Sequence, residues 1–270
     1  MTSAPPHDGE TTLDLSGRGL SEVPADVWER TALRRLFLGH NRLAALPGEI
    51  GRLGRLEGLY VHDNELVSLP AELGALTALR VLDLSHNAPL RTLPEEIGAL
   101  GRLEFLYTAD QSLEHLPRSL GTLGSLRYLN AGQNRLASVP DEIGSLALLQ
   151  ELRLQGNRIR ALPPSLTHLA GLRELHLDHN ELEDVPEDLG ALAELRTLSL
   201  RGNRLTRLPD SVGALGRLHS LDLRANRIAT LPPGVARLPA LERLDLRWNG
   251  WEEVPASLDP LVERGCRIYV

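Results

Sequence analysis

Histidine and aspartate residues recur along the chain at a spacing that could bring their side chains together. His40, Asp63, His86 and Asp110 follow one another at intervals of 23 or 24 residues, and His62 is adjacent to Asp63. Imidazole and carboxylate groups bind divalent transition metals, and imidazole titrates near neutral pH. Residues repeated at this interval could therefore hold zinc or respond to pH.

A second group of the same residue types, His176, Asp178 and His179, lies further along the chain. A zinc site requires ligands that converge tetrahedrally, and residues displayed in a flat row need not converge. We therefore assign no metal ligands and no cofactor from the sequence. A metal- or pH-responsive binding protein that uses these His and Asp columns is kept as the alternative function.

Residue types that several catalytic mechanisms require are missing from the sequence. All 29 basic residues are Arg, so the chain has no lysine. This excludes a P-loop of the usual kind, the lysine-bearing strand of protein kinases and a Schiff-base mechanism. No G-x-S-x-G, H-E-x-x-H or glycine-rich phosphate loop is present either. We predict that the protein is not an enzyme, and a hydrolase built from His, Asp and Ser is the remaining catalytic alternative.

Composition and charge indicate a globular protein of the cytoplasm. The net charge of −7 argues against binding to nucleic acid or to an anionic membrane surface. The lone cysteine excludes a disulfide framework and fits a reducing compartment. Residues 1–9 lack the basic start and apolar core of a secretory signal. Abundant Arg, Ala, Gly and Leu without Lys suggest a GC-rich, bacterial genome, and we favour a monomer.

A 23-residue repeat runs through almost the whole chain and would position these side chains. A Leu-Pro or Val-Pro step recurs at eleven positions that are 23 residues apart, except for one interval of 24. The residues before each step follow L-x-x-L-x-L-x-x-N-x-L, as from Leu33 to Leu43, and those after it follow P-x-x-I-G-x-L, as from Pro47 to Leu53. The prolines of these steps are Pro24, Pro47, Pro70, Pro94, Pro117, Pro140, Pro163, Pro186, Pro209, Pro232 and Pro255.

Each part of the motif has a physical reason. The alternating L-x-L predicts a short strand with one face buried and the other in solvent. The Asn side chain can bond backbone groups of the following turn, so stacked copies would form a ladder of satisfied amides. Its predicted members are Asn41, Asn64, Asn87, Asn134, Asn157, Asn180, Asn203, Asn226 and Asn249.

The motif resembles the 23-residue class of intracellular leucine-rich repeats, which includes plant Ras-group proteins, animal scaffolds of Ras-family signalling and many bacterial proteins. The match extends from about Leu13 to Pro255. It implies an α/β solenoid: an arc of about eleven repeats with a parallel concave β-sheet and an irregular or short-helical convex side. The repeats differ from those of secreted bacterial ubiquitin-ligase effectors, which are shorter and lack the I-G-x-L segment.

The two ends of the repeat array are atypical, as expected where one side of a terminal repeat faces water. Arg18 stands where Asn belongs, and Trp251 replaces the Leu after Asn249. We predict a disordered tail over residues 1–9, the solenoid over 10–256 and a C-terminal cap over 257–270. The cap should end in a strand over residues 266–270, with Cys266 buried.

Aromatic residues are predicted to form an exposed patch on the concave face. The third, fifth, seventh and eighth positions of L-x-x-L-x-L-x-x-N should face solvent there. Of the two Phe and four Tyr in the chain, five occupy the third or fifth position of the second to sixth strands. They are Phe37, Tyr60, Phe105, Tyr107 and Tyr128. Clustered exposed aromatics favour a protein interface, and mutual packing across strands is the alternative.

Arginine residues dominate the same face further along the chain. The predicted site residues are Arg201, Arg224 and Arg247, at the seventh position, with Trp248 beside the last of them. Asp222 and Asp245, at the fifth position, could pair with these arginines. The row therefore predicts either a second site, for an acidic partner, or cross-strand ion pairs that only solvate the face.

One internal repeat departs from the pattern. Ala88-Pro89 lengthens the turn after Asn87 by one residue, and in the next repeat Thr108 replaces a core Leu and Gln111 replaces the ladder Asn. Either these changes are tolerated drift, or they alter the curvature beside a binding patch.

The function predicted from all these features is a protein–protein interaction module or scaffold that binds a protein partner on its concave face. A role in intracellular signalling is implied only by the resemblance.

Overall fold

The computed structural model describes residues 11–270, so the predicted tail over residues 1–9 lies outside the described residues. Twelve parallel strands form one sheet, in which each strand pairs with the strands before and after it in the chain. The strands are β1 Thr12–Asp14, β2 Arg35–Phe37, β3 Gly58–Tyr60, β4 Val81–Asp83, β5 Phe105–Tyr107, β6 Tyr128–Asn130, β7 Glu151–Arg153, β8 Glu174–His176, β9 Thr197–Ser199, β10 Ser220–Asp222, β11 Arg243–Asp245 and β12 Arg267–Tyr269. The predicted solenoid with a parallel concave sheet is confirmed.

The register of the sheet follows from the repeat length. Leu36 of β2 lies opposite Leu59 of β3, and the pattern continues with Leu82 of β4. These central residues are fully buried, whereas the first and last residue of most strands remain partly accessible. Because side chains alternate along a strand, the two flanking residues face away from the leucine core and form the concave face.

Short 3-10 helices form the convex side, as the I-G-x-L segment predicted. They span Ala25–Glu29, Gly48–Arg52, Ala71–Ala75, Glu95–Ala99, Arg118–Thr122, Asp141–Ser145, Pro164–His168, Leu189–Ala191, Asp210–Ala214, Val235–Arg237 and Ala256–Leu258. The glycine of the segment allows neighbouring repeats to approach closely. A Cβ added to Gly144 would lie 2.3 Å from the backbone oxygen of Ser165 in the next repeat.

The predicted asparagine ladder is present, and all its members are buried except Asn249, which is partly buried. Nδ2 of Asn157 donates to the carbonyls of Ala131 and Leu154 at 3.0 and 2.9 Å, and its Oδ1 accepts from the N–H of Leu136 at 3.0 Å. Each asparagine thus ties its own turn to the preceding repeat, which satisfies backbone groups that the short strands leave unpaired.

In the irregular repeat, other hydrogen bonds replace those that the regular motif would make. The inserted residue lets the N–H of Leu90 bond the carbonyl of Asn87 at 2.9 Å, so this N–H needs no side-chain acceptor. Gln111 reaches across the longer turn to donate to the carbonyl of Leu84, and its Oε1 accepts from the hydroxyl of Thr108 at 2.8 Å. Thr108 is fully buried. The three departures therefore support one another, because a leucine at 108 would leave Oε1 of Gln111 without this donor.

The C-terminal segment covers the last repeat. Helix α1, Asp259–Glu263, follows the last 3-10 helix, and β12 pairs with β11. Leu261 and Cys266 are buried, and the indole N–H of Trp251 donates to the carbonyl of Ile228 at 2.7 Å. Within residues 11–270, no helix combines the length and the apolar character needed to cross a membrane.

Candidate functional site

The concave face displays the residues that flank each central leucine. Parallel pairing in register aligns equivalent positions in rows across the strands, so Tyr60 lies opposite Asp83 and Asp83 opposite Tyr107. Strands β2 to β11 are paired on both sides, and the leucine core lies beneath the sheet. The rows are therefore presented on a rigid support.

The aromatic patch consists of Phe37, Tyr60, Phe105, Tyr107 and Tyr128. Phe37 and Tyr60 are stacked, with ring centroids 4.5 Å apart and an interplanar angle of 5°. The ring of Tyr128 lies 4.9 Å from that of Tyr107 and 6.5 Å from that of Phe105. All five residues lie on the predicted face, but β4, with no aromatic residue, divides them into a stacked pair and a group of three rings tilted by 36–38°.

The rings are half-buried, whereas the sequence predicted an exposed patch. Each ring covers part of its neighbour, so the mutual packing considered as the alternative does occur. Part of each ring nevertheless remains accessible to solvent. Burial, together with the charge of Asp83, raises the pKa of Tyr107, and burial also raises the pKa of Tyr128. Both hydroxyls stay protonated at neutral pH and can donate a hydrogen bond.

The arginine cluster consists of Arg201, Arg224, Arg247 and Trp248. Nε of Arg224 lies 2.9 Å from both carboxylate oxygens of Asp222. Arg247 donates to both oxygens of Asp245 at 2.9 and 2.7 Å. The sequence offered cross-strand Arg–Asp pairs as the alternative to a second binding site, but these two pairs each join residues of the same repeat. The approach of Arg224 to Asp245, at 3.6 Å, crosses between neighbouring strands.

Asp245 is the centre of these ion pairs. Its side chain is inaccessible to solvent, and Arg224 and Arg243 approach it to 3.6 and 3.2 Å, in addition to Arg247. Burial alone would raise the pKa of Asp245, but hydrogen bonds from Arg247 and Arg243 more than offset burial and hold it below the ordinary value.

Cation–π contacts extend the arginine cluster beyond the pairs. The ring of Trp248 is 63% exposed, and the guanidinium carbons of Arg201 and Arg247 lie 5.8 and 5.6 Å from its centroid. Nε of Arg201 is buried and has no hydrogen-bond partner within the described residues. Arg201 and Trp248 are thus the members that the Arg–Asp pairing does not use.

Tyr269 was missed as a site residue. It is 37% exposed, and Arg243 and Arg247 lie 5.4 and 5.3 Å from its ring centroid. The sequence could have indicated it, because it is the sixth of the six Phe and Tyr residues. In the sheet it lies opposite Asp245.

The first His–Asp series does not converge on one point. His40 and Asp63 approach to 3.4 Å, and His86 and Asp110 form a separate pair at 3.7 Å. One ligand atom each from His40, His62 and Asp63 lies within 4.8 Å of the others.

The second predicted group does not form a cluster within the described residues. Instead, His176 lies near Glu151 and Glu174 with ligand atoms within 4.8 Å of one another, and Asp178 accepts a hydrogen bond from Ser199.

Comparisons with known proteins agree with this architecture. A family model described as leucine-rich repeat region matches residues 118–190 and 184–263, more than half of the chain. A comparison with curated proteins finds no match.

Solved structures of other repeat proteins are similar over most of the chain. The LRR protein LIC12759 of Leptospira interrogans is 34% identical with a TM-score of 0.86, covering 92% of this chain and 63% of its own. The plant peptide hormone receptor RGFR1, in complex with RGF2, is 33% identical with a TM-score of 0.82, covering 92% and 41%. YopM, an effector of Yersinia pestis, is 28% identical with a TM-score of 0.71, covering 88% and 60%.

The chain therefore spans less than two thirds of the length of each of these proteins. The fold is typical of protein–protein interaction modules, which are usually not enzymes. The repeat motif, the register of the sheet and the matched family model together show that this chain belongs to the leucine-rich repeat family.

Proposed function

We propose that this protein is a non-enzymatic interaction module that binds a protein partner on its concave face, as a scaffold in bacterial cytoplasmic signalling. The observation that carries the proposal is the aromatic patch, in which rings in mutual contact keep accessible surface on a paired sheet. The complex of RGFR1 with RGF2 supports a ligand-binding role for the fold, although it concerns another protein.

The aromatic patch suits a partner because its rings are already ordered. Phe37 stacks on Tyr60, and Tyr107 packs on Tyr128, so little side-chain entropy remains to be lost on binding. Tyrosine also combines a large apolar surface with a hydroxyl, and it is enriched among residues that dominate binding energy.

The two ends of the concave face differ in chemistry, which gives the partner an orientation. Arg247 and Arg243 keep side-chain exposures of 37% and 49% while paired to Asp245, and Trp248 stands beside them. An apolar segment of the partner would therefore contact the aromatic patch, and an acidic segment would contact the arginine cluster.

The test is affinity capture from native lysate with wild type and a Tyr60→Ser, Tyr107→Ser, Tyr128→Ser variant. A Val67→Ser, Leu148→Ser variant is the matched control, since it removes exposed apolar residues at 60% and 46% accessibility outside the concave face. Circular dichroism and thermal melting establish that each bait is folded.

A protein retained by wild type and by the control, and lost with the triple variant, is expected. If a folded triple variant retains the same proteins, the aromatic patch is not the contact surface. Variants of Arg201 and Trp248 then test the other end of the face.

A further inference from the structure

We propose that His40, His62 and Asp63 form a zinc-binding site at the edge of the concave face, independent of the protein interaction proposed above. The site joins two neighbouring repeats, since His40 belongs to the repeat of β2 and the other two residues to that of β3. Two imidazoles and one carboxylate are a ligand set that zinc accepts, with a fourth position left for water or a donor from a partner.

The ligand atoms are already close to the required geometry. One atom from each residue lies within 4.8 Å of the other two, and Nδ1 of His40 is 3.4 Å from Oδ2 of Asp63. Ligands bound tetrahedrally at zinc distances are about 3.3 Å apart, so small rotations of side chains suffice. The two imidazole rings meet edge to face, with centroids 5.0 Å apart.

His62 is held in place by a glycine on one side and a carboxylate on the other. A Cβ at Gly39 would lie 2.6 Å from Nε2 of His62, so only the absence of a side chain lets the ring lie there, beside His40. Nδ1 of His62 is buried, makes no hydrogen bond within the described residues, and lies 3.4 Å from Oδ2 of Asp83. A carboxylate facing one ring nitrogen while the other faces the metal is a common arrangement in zinc sites.

The conformation of the turn displays the other two ligands. His40 and Asp63 have φ angles of +57° and +52°, and residues at the same position of other repeats share this left-handed conformation. Their side chains therefore project in a row along the edge of the sheet. Among the described residues, no arginine forms an ion pair with Asp63.

Two other clusters lack one or more of these features. His86 and Asp110 repeat the His40–Asp63 pair at 3.7 Å, but Ala109 stands at the position of His62. In the cluster of Glu151, Glu174 and His176, Arg153 is hydrogen-bonded to Glu151 and competes with a cation for its carboxylate. The chain thus contains an internal control for the proposed site.

The first experiment is a zinc titration of metal-stripped, tag-free protein by isothermal calorimetry at neutral pH. Wild type is expected to bind one equivalent of zinc. His40→Asn and Asp63→Asn should each weaken binding by at least about tenfold, because each removes a direct ligand. Asparagine tolerates the left-handed backbone at both positions, so the fold should be retained. His86→Asn is the matched control and should bind zinc as wild type does.

Cobalt then reports the coordination, because a tetrahedral site with imidazole ligands gives visible absorption bands. These bands should appear with wild type and be lost in His40→Asn. The absence of stoichiometric zinc binding by wild type would overturn the proposal. It would also be overturned if binding survived in His40→Asn and Asp63→Asn but was abolished by His176→Ala.

A gain-of-function variant tests whether the arrangement is sufficient. Ser85→Gly, Ala109→His and Asn130→Asp reproduce Gly39, His62 and Asp83 around the existing His86–Asp110 pair. This triple variant is expected to bind a second equivalent of zinc. If a folded variant still binds only one, the claim that glycine, histidine and aspartate at these positions create the site is wrong.

Discussion

Replacement of Asn157 by Leu tests how much one ladder asparagine contributes to the free energy of unfolding. Four backbone groups bond the Asn157 side chain: the carbonyls of Ala131, Leu154 and Gln155 and the N–H of Leu136. Each carbonyl keeps another donor. These donors are Nδ2 of Asn134 at 3.2 Å from the first, Nδ2 of Asn180 at 2.9 Å from the second and the N–H of Gln133 at 2.7 Å from the third.

The N–H of Leu136 is therefore the group that loses its acceptor. It is buried, and an orphaned buried N–H costs about 1–3 kcal/mol. We expect Asn157→Leu to reduce the free energy of unfolding by this amount, measured by urea denaturation. Hydrogen exchange should show the reason directly, with faster exchange of the Leu136 amide than in wild type.

Asn157→Asp separates the two hydrogen-bonding roles of the side chain. Aspartate keeps an acceptor for Leu136 but turns an oxygen, in place of the amide donor, towards the carbonyls of Ala131 and Leu154. Near neutral pH we expect it to destabilise the protein more than leucine does, and the difference should narrow in acid as the carboxyl group protonates. Arg158→Ala, an exposed neighbour, serves as the control. An Asn157→Leu protein as stable as wild type would refute the argument.

Three further predictions concern the concave face and the convex packing. The pKa of Asp245 is held below the ordinary value of 3.8, so its ion pairs stabilise the fold above that pH and are lost as the pH falls through the lowered value. The melting temperature, measured as the pH is lowered, should therefore fall below about pH 4. This fall should be smaller in Asp245→Asn. Tyr107→Ser should reduce the free energy of unfolding in urea by about 1–2 kcal/mol, because a half-buried ring and its contact with the ring of Tyr128 are lost. An unchanged midpoint would show that the ring packs on nothing. Gly144→Ala should cost about 1–3 kcal/mol, since its Cβ would meet the backbone of Ser165. Gly124→Ala, with open space at the Cβ, should be nearly neutral, and equal midpoints for the two alanine variants would contradict the packing argument.

The repeat motif predicts most of the fold because each of its positions has a local physical role. Leucines at three positions require a core, the L-x-L alternation requires a strand, and the asparagine requires a turn with unpaired backbone groups. These needs recur at one interval, so the parallel sheet and its register follow from the spacing alone. The sequence also indicates the division of the aromatic patch, since Val81 and Asp83 occupy the third and fifth positions of the motif in the repeat of β4.

The features that escaped prediction depend on contacts between repeats. In the sequence, Thr108 and Gln111 are two separate departures from the repeat motif. Their hydrogen bonds with each other and with the carbonyl of Leu84 show that they form one network. The closeness of His62 to His40 likewise depends on the empty position at Gly39, which periodicity does not reveal. Side-chain directions within a row are set by such neighbours, and the repeat interval alone does not specify them.

The separation between the residues that hold the fold and those that face outward has a consequence for function. The leucines and ladder asparagines lie beneath the sheet or in its turns, so the repeat motif leaves the residue types at the third, fifth, seventh and eighth positions unspecified. Half-buried stacked rings, an exposed Trp248 beside Arg201 and two histidines against Asp63 are not required by the repeat. The case for their role in binding therefore rests on chemistry that the fold itself does not need.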